Sequence, residues 1–136
     1  MTARELFVAG AAVLAAAFSG SAEAQPATEQ YVQVAHIEID PVQLEEYRAA
    51  VREQITAAIR DEPGVLVLYA VSDKDNPAHV TVFEIYRDAA TYQAHLASGH
   101  FKKYKAATEK MVKSLTLVKS DPILLGAKGR LSLIHI

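Results

Sequence analysis

The 136-residue chain has no cysteine, which excludes disulfides, thiolate nucleophiles, Cys-ligated zinc and iron–sulfur clusters in any compartment. Stability must come from packing. Positive charge is not in excess either: 14 Lys and Arg stand against 16 Asp and Glu, and no basic cluster is longer than Lys102-Lys103. That leaves no electrostatic footprint for nucleic acid. Without a Gly-x-Ser-x-Gly elbow or a phosphate-cradling glycine loop, acyl transfer and nucleotide chemistry have no local signal. There is also no apolar run of the ~20 residues that cross a bilayer. An uncharged stretch rich in Ala, Val and Leu, Leu6 to Phe18, follows Arg4 and leads to Ala22-Glu23-Ala24, an A-x-A cleavage pattern. Residues 1–24 therefore read as a secretory signal peptide. The mature protein is expected to be exported, to the periplasm, with no membrane attachment after cleavage.

What remains is the size of one domain. Residues 25–30 read as a short linker and 31–125 as the domain. Residues 126–136 form a tail in which the turn-like Gly126-Ala127-Lys128-Gly129-Arg130 precedes an apolar hexapeptide, either a foreign extension or a terminal strand.

Tyr31 to Ile39 is rich in β-branched residues and stops at Asp40-Pro41, which predicts a strand. Leu44, Tyr47, Val51, Ile55 and Ala58 recur at steps of three and four until Pro63-Gly64, which predicts a helix. Val65 to Val71 and Val80 to Tyr86 flank the turn-forming Ser72 to Pro77, a hairpin with a longish loop. Asp88 can cap a short helix through about Ala97. Ser98-Gly99 interrupts it, and Phe101, Tyr104, Thr108, Met111, Val112 and Leu115 then form one stripe of a second helical piece. Leu117 opens a last strand. The order is α+β, a ferredoxin-like βαββαβ pattern: a four-stranded antiparallel sheet with helices on one face. Helices cover only one face, yet both faces of the hairpin strands are apolar. A homodimer with sheets packed face to face follows as the expectation.

Few polar residues could carry chemistry in such a fold. Tyr69 lies on the second strand, Glu84 and Tyr86 on one face of the third, His36 on the first, and His95 and His100 flank the helix break. Five residues of helix turn through about 500°, leaving His95 and His100 roughly 140° apart unless the Gly99 break makes them converge. With no cysteine and no third ligand at a recognisable spacing, no metal site is expected. The remaining picture is a cavity of aliphatics, tyrosines and one or two imidazoles, suited to a small aromatic ligand. Imidazole can take a phenolic proton near neutral pH, and tyrosine can hold the anion.

Asp61-Glu62-Pro63-Gly64-Val65-Leu66, Tyr69, Phe83-Glu84-Ile85-Tyr86-Arg87-Asp88 and His95-Leu96-Ala97-Ser98-Gly99-His100-Phe101 together resemble the antibiotic biosynthesis monooxygenase superfamily, most closely its small quinol monooxygenase-like members. The resemblance spans roughly Tyr31 to Ile123. It implies a dimeric α+β barrel that oxygenates a quinol or related polyhydroxylated aromatic with O2 and no flavin, haem or metal. It further implies that His95 or His100 is base or anion partner, that Tyr86 and Tyr69 orient the substrate, and that Glu84 supports them. His36 and Phe101 complete the expected site. Haem-degrading relatives of the same fold place an axial histidine, an asparagine and a tryptophan where this chain has Lys105, Ala35 and Tyr86, which argues against haem turnover. A non-catalytic exported barrel that binds a small aromatic ligand or haem is the alternative, because fold alone does not fix activity.

Overall fold

The computed structural model describes residues 29–129. The expected signal peptide, most of the linker and residues 130–136 of the tail lie outside the described residues. Among those described, no helix is long and apolar enough to cross a membrane.

Strand β1 (Tyr31–Ile39) ends at Asp40, whose carboxylate accepts from the Val42 amide and so caps a short 3-10 turn, Pro41–Gln43. Helix α1 (Leu44–Asp61) carries Glu45 and Glu46 in its first turn and Arg60 in its last, each charge opposing the helix dipole. It buries Tyr47, Val51, Gln54 and Ala58, one face at helical spacing. Strands β2 (Val65–Ser72) and β3 (His79–Tyr86) form the hairpin. Helix α2 (Ala89–Leu96) is capped by Asp88, which accepts from the Thr91 amide at 2.8 Å. Helix α3 (Gly99–Thr108) is capped by Ser98, and β4 (Val112–Ser120) closes the sheet.

The sheet order is β2-β3-β1-β4 with every neighbouring pair antiparallel. This is the ferredoxin-like arrangement the sequence predicts. One core cluster gathers Ala35, Ile37, Ile39, Tyr47, Val51 and Val80, and a second gathers Ala58, Val65, Leu68, Tyr86 and Tyr92. Tyr47 and Tyr104 join α1 to α3 through their hydroxyls, 2.7 Å apart.

The helix expected to run through Leu115 ends at Thr108 instead. Thr108 Oγ1 donates back to the Tyr104 carbonyl, and the Met111 amide bonds the Thr108 carbonyl, turning the chain. Met111 then accepts from the Asp40 amide, which pins the turn to the end of β1. Val112 and Leu115 become strand residues paired with Ile39 and Ile37, because β4 has a partner ladder that an isolated helical stripe lacks.

Gly64 follows Pro63 at the α1–β2 turn. A Cβ there would lie 2.3 Å from Thr91 Cγ2, so only glycine lets β2 start this close to α2. The Gly64 carbonyl also accepts from the Arg87 amide at 2.8 Å, tying the same turn to the end of β3.

Candidate active site

A cavity of about 560 Å³ lies between helices and sheet. Its floor alternates along the strands: Gln33, Ala35 and Ile37 of β1, and Val82, Glu84 and Tyr86 of β3, all project toward the helices. Val51, Gln54 and Ile55 of α1 form one wall. His95, Phe101 and Tyr104 form another. Leu115 and Leu117 of β4 line the side where no helix covers the sheet, and both remain half-exposed.

Two polar groups of interlocking side chains meet this space. In the first, Tyr86 donates to Glu84 Oε1 at 2.5 Å, and Gln33 Nε2 donates to Glu84 Oε2 at 3.3 Å and to the Tyr92 hydroxyl at 3.4 Å. Burial raises the Glu84 carboxyl pKa, although Tyr86, Gln33 and His95 all act in the opposite direction. Burial, followed by the Glu84 charge, pushes the Tyr86 hydroxyl far above its ordinary value. Tyr104 is raised as well, chiefly by burial. These phenols are therefore neutral donors, not bases. The amide oxygen of Gln54 is buried at the cavity wall with no hydrogen-bond partner among the described residues, a group for a bound ligand to satisfy.

In the second group, Glu62 Oε2 lies 2.8 Å from His95 Nδ1 and 2.5 Å from His100 Nε2. Glu62 is the residue after α1. Its position before Pro63 forces it out of the helical region, to φ −112° and ψ 100°, and its side chain lands between the two histidines. His95 ends α2 and His100 opens α3. The break at Ser98-Gly99, held by Ser98 Oγ donating to the His95 carbonyl at 2.7 Å, turns the rings toward each other. Their centroids are 6.0 Å apart. His95 is only 1% exposed and packs between Tyr86 and Phe101, with centroids at 5.4 and 5.1 Å. With Nδ1 on Glu62, the ring presents Nε2 as its remaining nitrogen for the cavity. His100 lines a separate open groove with Arg52, Arg60 and Asp61.

The structure thus brings Tyr86, Glu84, Phe101 and His95 to one cavity, and joins His100 to it through Glu62. Tyr69 and His36 are placed elsewhere. Tyr69 pairs with Phe83 on the opposite face of the sheet and is 48% exposed. The cause is a bulge between Val65 and Val67: Val65 pairs with Tyr86 on the cavity face, whereas Val67 pairs with Ile85 on the other. One extra residue inverts the facing of all that follows, Tyr69 included. His36 occupies the even positions of β1, away from Gln33 and Ala35, with its ring 6.1 Å from that of His79. Sequence reasoning assigned no role to Glu62, Gln33, Gln54 or Tyr92. For Glu62 a usable sign was its place before a helix-ending proline, facing a helix break with two histidines.

The family model for antibiotic biosynthesis monooxygenases matches residues 30–107. A structure from Bacteroides thetaiotaomicron, assigned to these monooxygenases, is 49% identical, with a TM-score of 0.72 over 76% of this chain and 99% of its own. A protein of Lactobacillus acidophilus assigned as a monooxygenase is 26% identical, with a TM-score of 0.65 over 68% of this chain and 43% of its own. A Caulobacter crescentus structure shares the fold at 19% identity, with a TM-score of 0.67 over 72% of this chain and 93% of its own. No curated protein matches the sequence.

Proposed function

Because the chain belongs to the antibiotic biosynthesis monooxygenase family, we propose that it is a monooxygenase that oxygenates a quinol or related polyhydroxylated aromatic without an organic cofactor. The observation that carries this is His95: a buried imidazole, fixed by Glu62 at one nitrogen, in the wall of a mainly aliphatic and aromatic cavity whose other polar groups include the Tyr86 and Tyr104 hydroxyls, Glu84, Gln33 and Gln54. A phenol ring fits among Ile37, Val51, Ile55 and Phe101. His95 Nε2 takes its proton, and the Tyr104 hydroxyl, accepting from Tyr47, donates its own O–H to the phenolate, while Tyr86, whose O–H is held by Glu84, packs against the ring. The electron-rich anion then reduces O2 directly. One oxygen atom enters the ring, the other leaves as water, and the quinol becomes a hydroxyquinone, so no outside reductant is needed. Gln54 Oε1 accepts from a second substrate hydroxyl.

The functional unit in this proposal is a homodimer. The sheet face opposite the helices carries Tyr69, Val71 and Val118, 48%, 62% and 44% exposed, which a second copy would cover.

Oxygen-electrode assays over a quinol panel test the chemistry. Uptake should require the quinol and fall at least ~100-fold in His95→Gln, as expected for loss of a general base. Full uptake in His95→Gln would refute the assignment.

A further inference from the structure

Glu62 stands between two spaces. His95 belongs to the cavity, His100 to the open groove, and both meet the same carboxylate oxygen. We propose that Glu62, His95 and His100 form a binding site for a divalent transition ion of the zinc type, and that an ion held there turns His95 from an acceptor into a donor toward the cavity. The second half rests on the role of His95 given above.

Two imidazole nitrogens and one carboxylate oxygen, from three separate segments, lie within 4.8 Å of one another. This donor set suits zinc and its neighbours rather than calcium or magnesium, which prefer oxygen alone. An ion about 2.0–2.2 Å from each atom would set tetrahedral donors roughly 3.4 Å apart. The present separations of 2.8 and 2.5 Å need to open by less than ~1 Å, within reach of a glutamate rotamer. The partly exposed His100 and the groove beside it give an entry path and room for water as the fourth ligand. Among the described residues this is the one such convergence of histidine and carboxylate donors.

The ion would change His95 through its tautomer. Without metal, the bond to Glu62 keeps the proton of the neutral ring on Nδ1 and the lone pair on Nε2. With metal, Nδ1 must supply its lone pair, so the ring proton resides on Nε2. No electron is transferred; a proton only exchanges, through water, from one nitrogen to the other. The ion stays on the far side of the ring and touches neither substrate nor O2. It acts as a brake on the base and not as an oxygen-activating centre.

Calorimetric titration of tag-free protein with zinc sulfate is the first test. One ion per chain is expected, with affinity weakened at least ~10-fold in both Glu62→Gln and His100→Ala and unchanged in His79→Gln, which alters the separate Asp73–His79 pair. No binding by the wild-type chain, or wild-type affinity retained in both Glu62→Gln and His100→Ala, overturns the site. Melting curves verify folding, and His100→Ala, at a partly exposed ring, serves if Glu62→Gln misfolds. The second test is the imidazole 15N spectrum of His95, where protonated Nδ1 should give way to protonated Nε2 as zinc is added. An unchanged tautomer at saturating zinc overturns the switch. Both measurements work without a substrate, so a failed oxygen assay would refute the proposed reaction and leave the metal site decided on its own.

Discussion

Tyr86→Phe removes one oxygen atom and leaves the ring volume in place, so it isolates the bond to Glu84. That bond is short, at 2.5 Å, and Tyr86 is fully buried. Without it the remaining hydrogen bond to Glu84 among the described residues is from Gln33, at 3.3 Å, in a setting that already disfavours its charge. A hydrogen bond to a charged group contributes about 1.5–3 kcal/mol, and an isosteric phenylalanine adds no cavity cost. The expected destabilisation is therefore ~2 kcal/mol at pH 8, measured by urea unfolding. Its pH dependence is the sharper test. The folded-state pKa of Glu84 is raised, so the native state binds more protons than the unfolded chain between the ordinary carboxyl value and the raised one; stability contributed by Glu84 is present at lower pH and lost as pH rises through that window. The Tyr86 bond partly offsets that loss, because it favours the carboxylate. Tyr86→Phe should therefore be more harmful at pH 8 than at pH 5, and the two curves should converge on the acid side. An equal loss at both pH values, or one below ~0.5 kcal/mol at pH 8, would refute the account of Glu84 as a carboxylate held by Tyr86.

Two further outcomes follow from the packing. Gly64→Ala should cost on the order of 2 kcal/mol by chemical denaturation, because its methyl meets Thr91, whose Oγ1 is anchored on Asp88 at 2.7 Å; Thr91→Ala in the same chain should recover more than half, and no recovery would show that the clash lies elsewhere. If the proposed face-to-face dimer forms, Tyr69→Asp should shift the mass measured by light scattering from dimer to monomer at micromolar concentration while leaving the cavity intact; a monomeric wild-type mass would refute the dimer, and a variant that stays dimeric would refute this face as the contact.

Local pattern carried much of this architecture. β1 runs from Tyr31 to Ile39 as its β-branched run and the following Asp-Pro indicate, and α1 stops where Pro63-Gly64 requires. The end of α3 was not legible, since Met111, Val112 and Leu115 satisfy a helical stripe as well as a strand edge, and only the ladder with β1 distinguishes them. Tyr69 and His36 were misplaced because a strand's facing depends on a bulge and on which side the helices cover, and neither is written in the strand itself. The tyrosine and glutamate of β3 were visible as an i, i+2 pair. Glu62 was not, since its partners lie 33 and 38 residues away.

The proline after Glu62 has a consequence for how this chain can vary. Because that dipeptide both stops α1 and delivers the carboxylate to the histidines, helix length and site geometry are one variable. A single residue inserted or deleted within α1 would swing Glu62 about 100° around the helix axis and slide it about 1.5 Å along it, aiming it away from both rings. Surface positions of α1 are free to drift, but its residue count is not. A change in that count is tolerable only alongside a compensating change at the Ser98-Gly99 break.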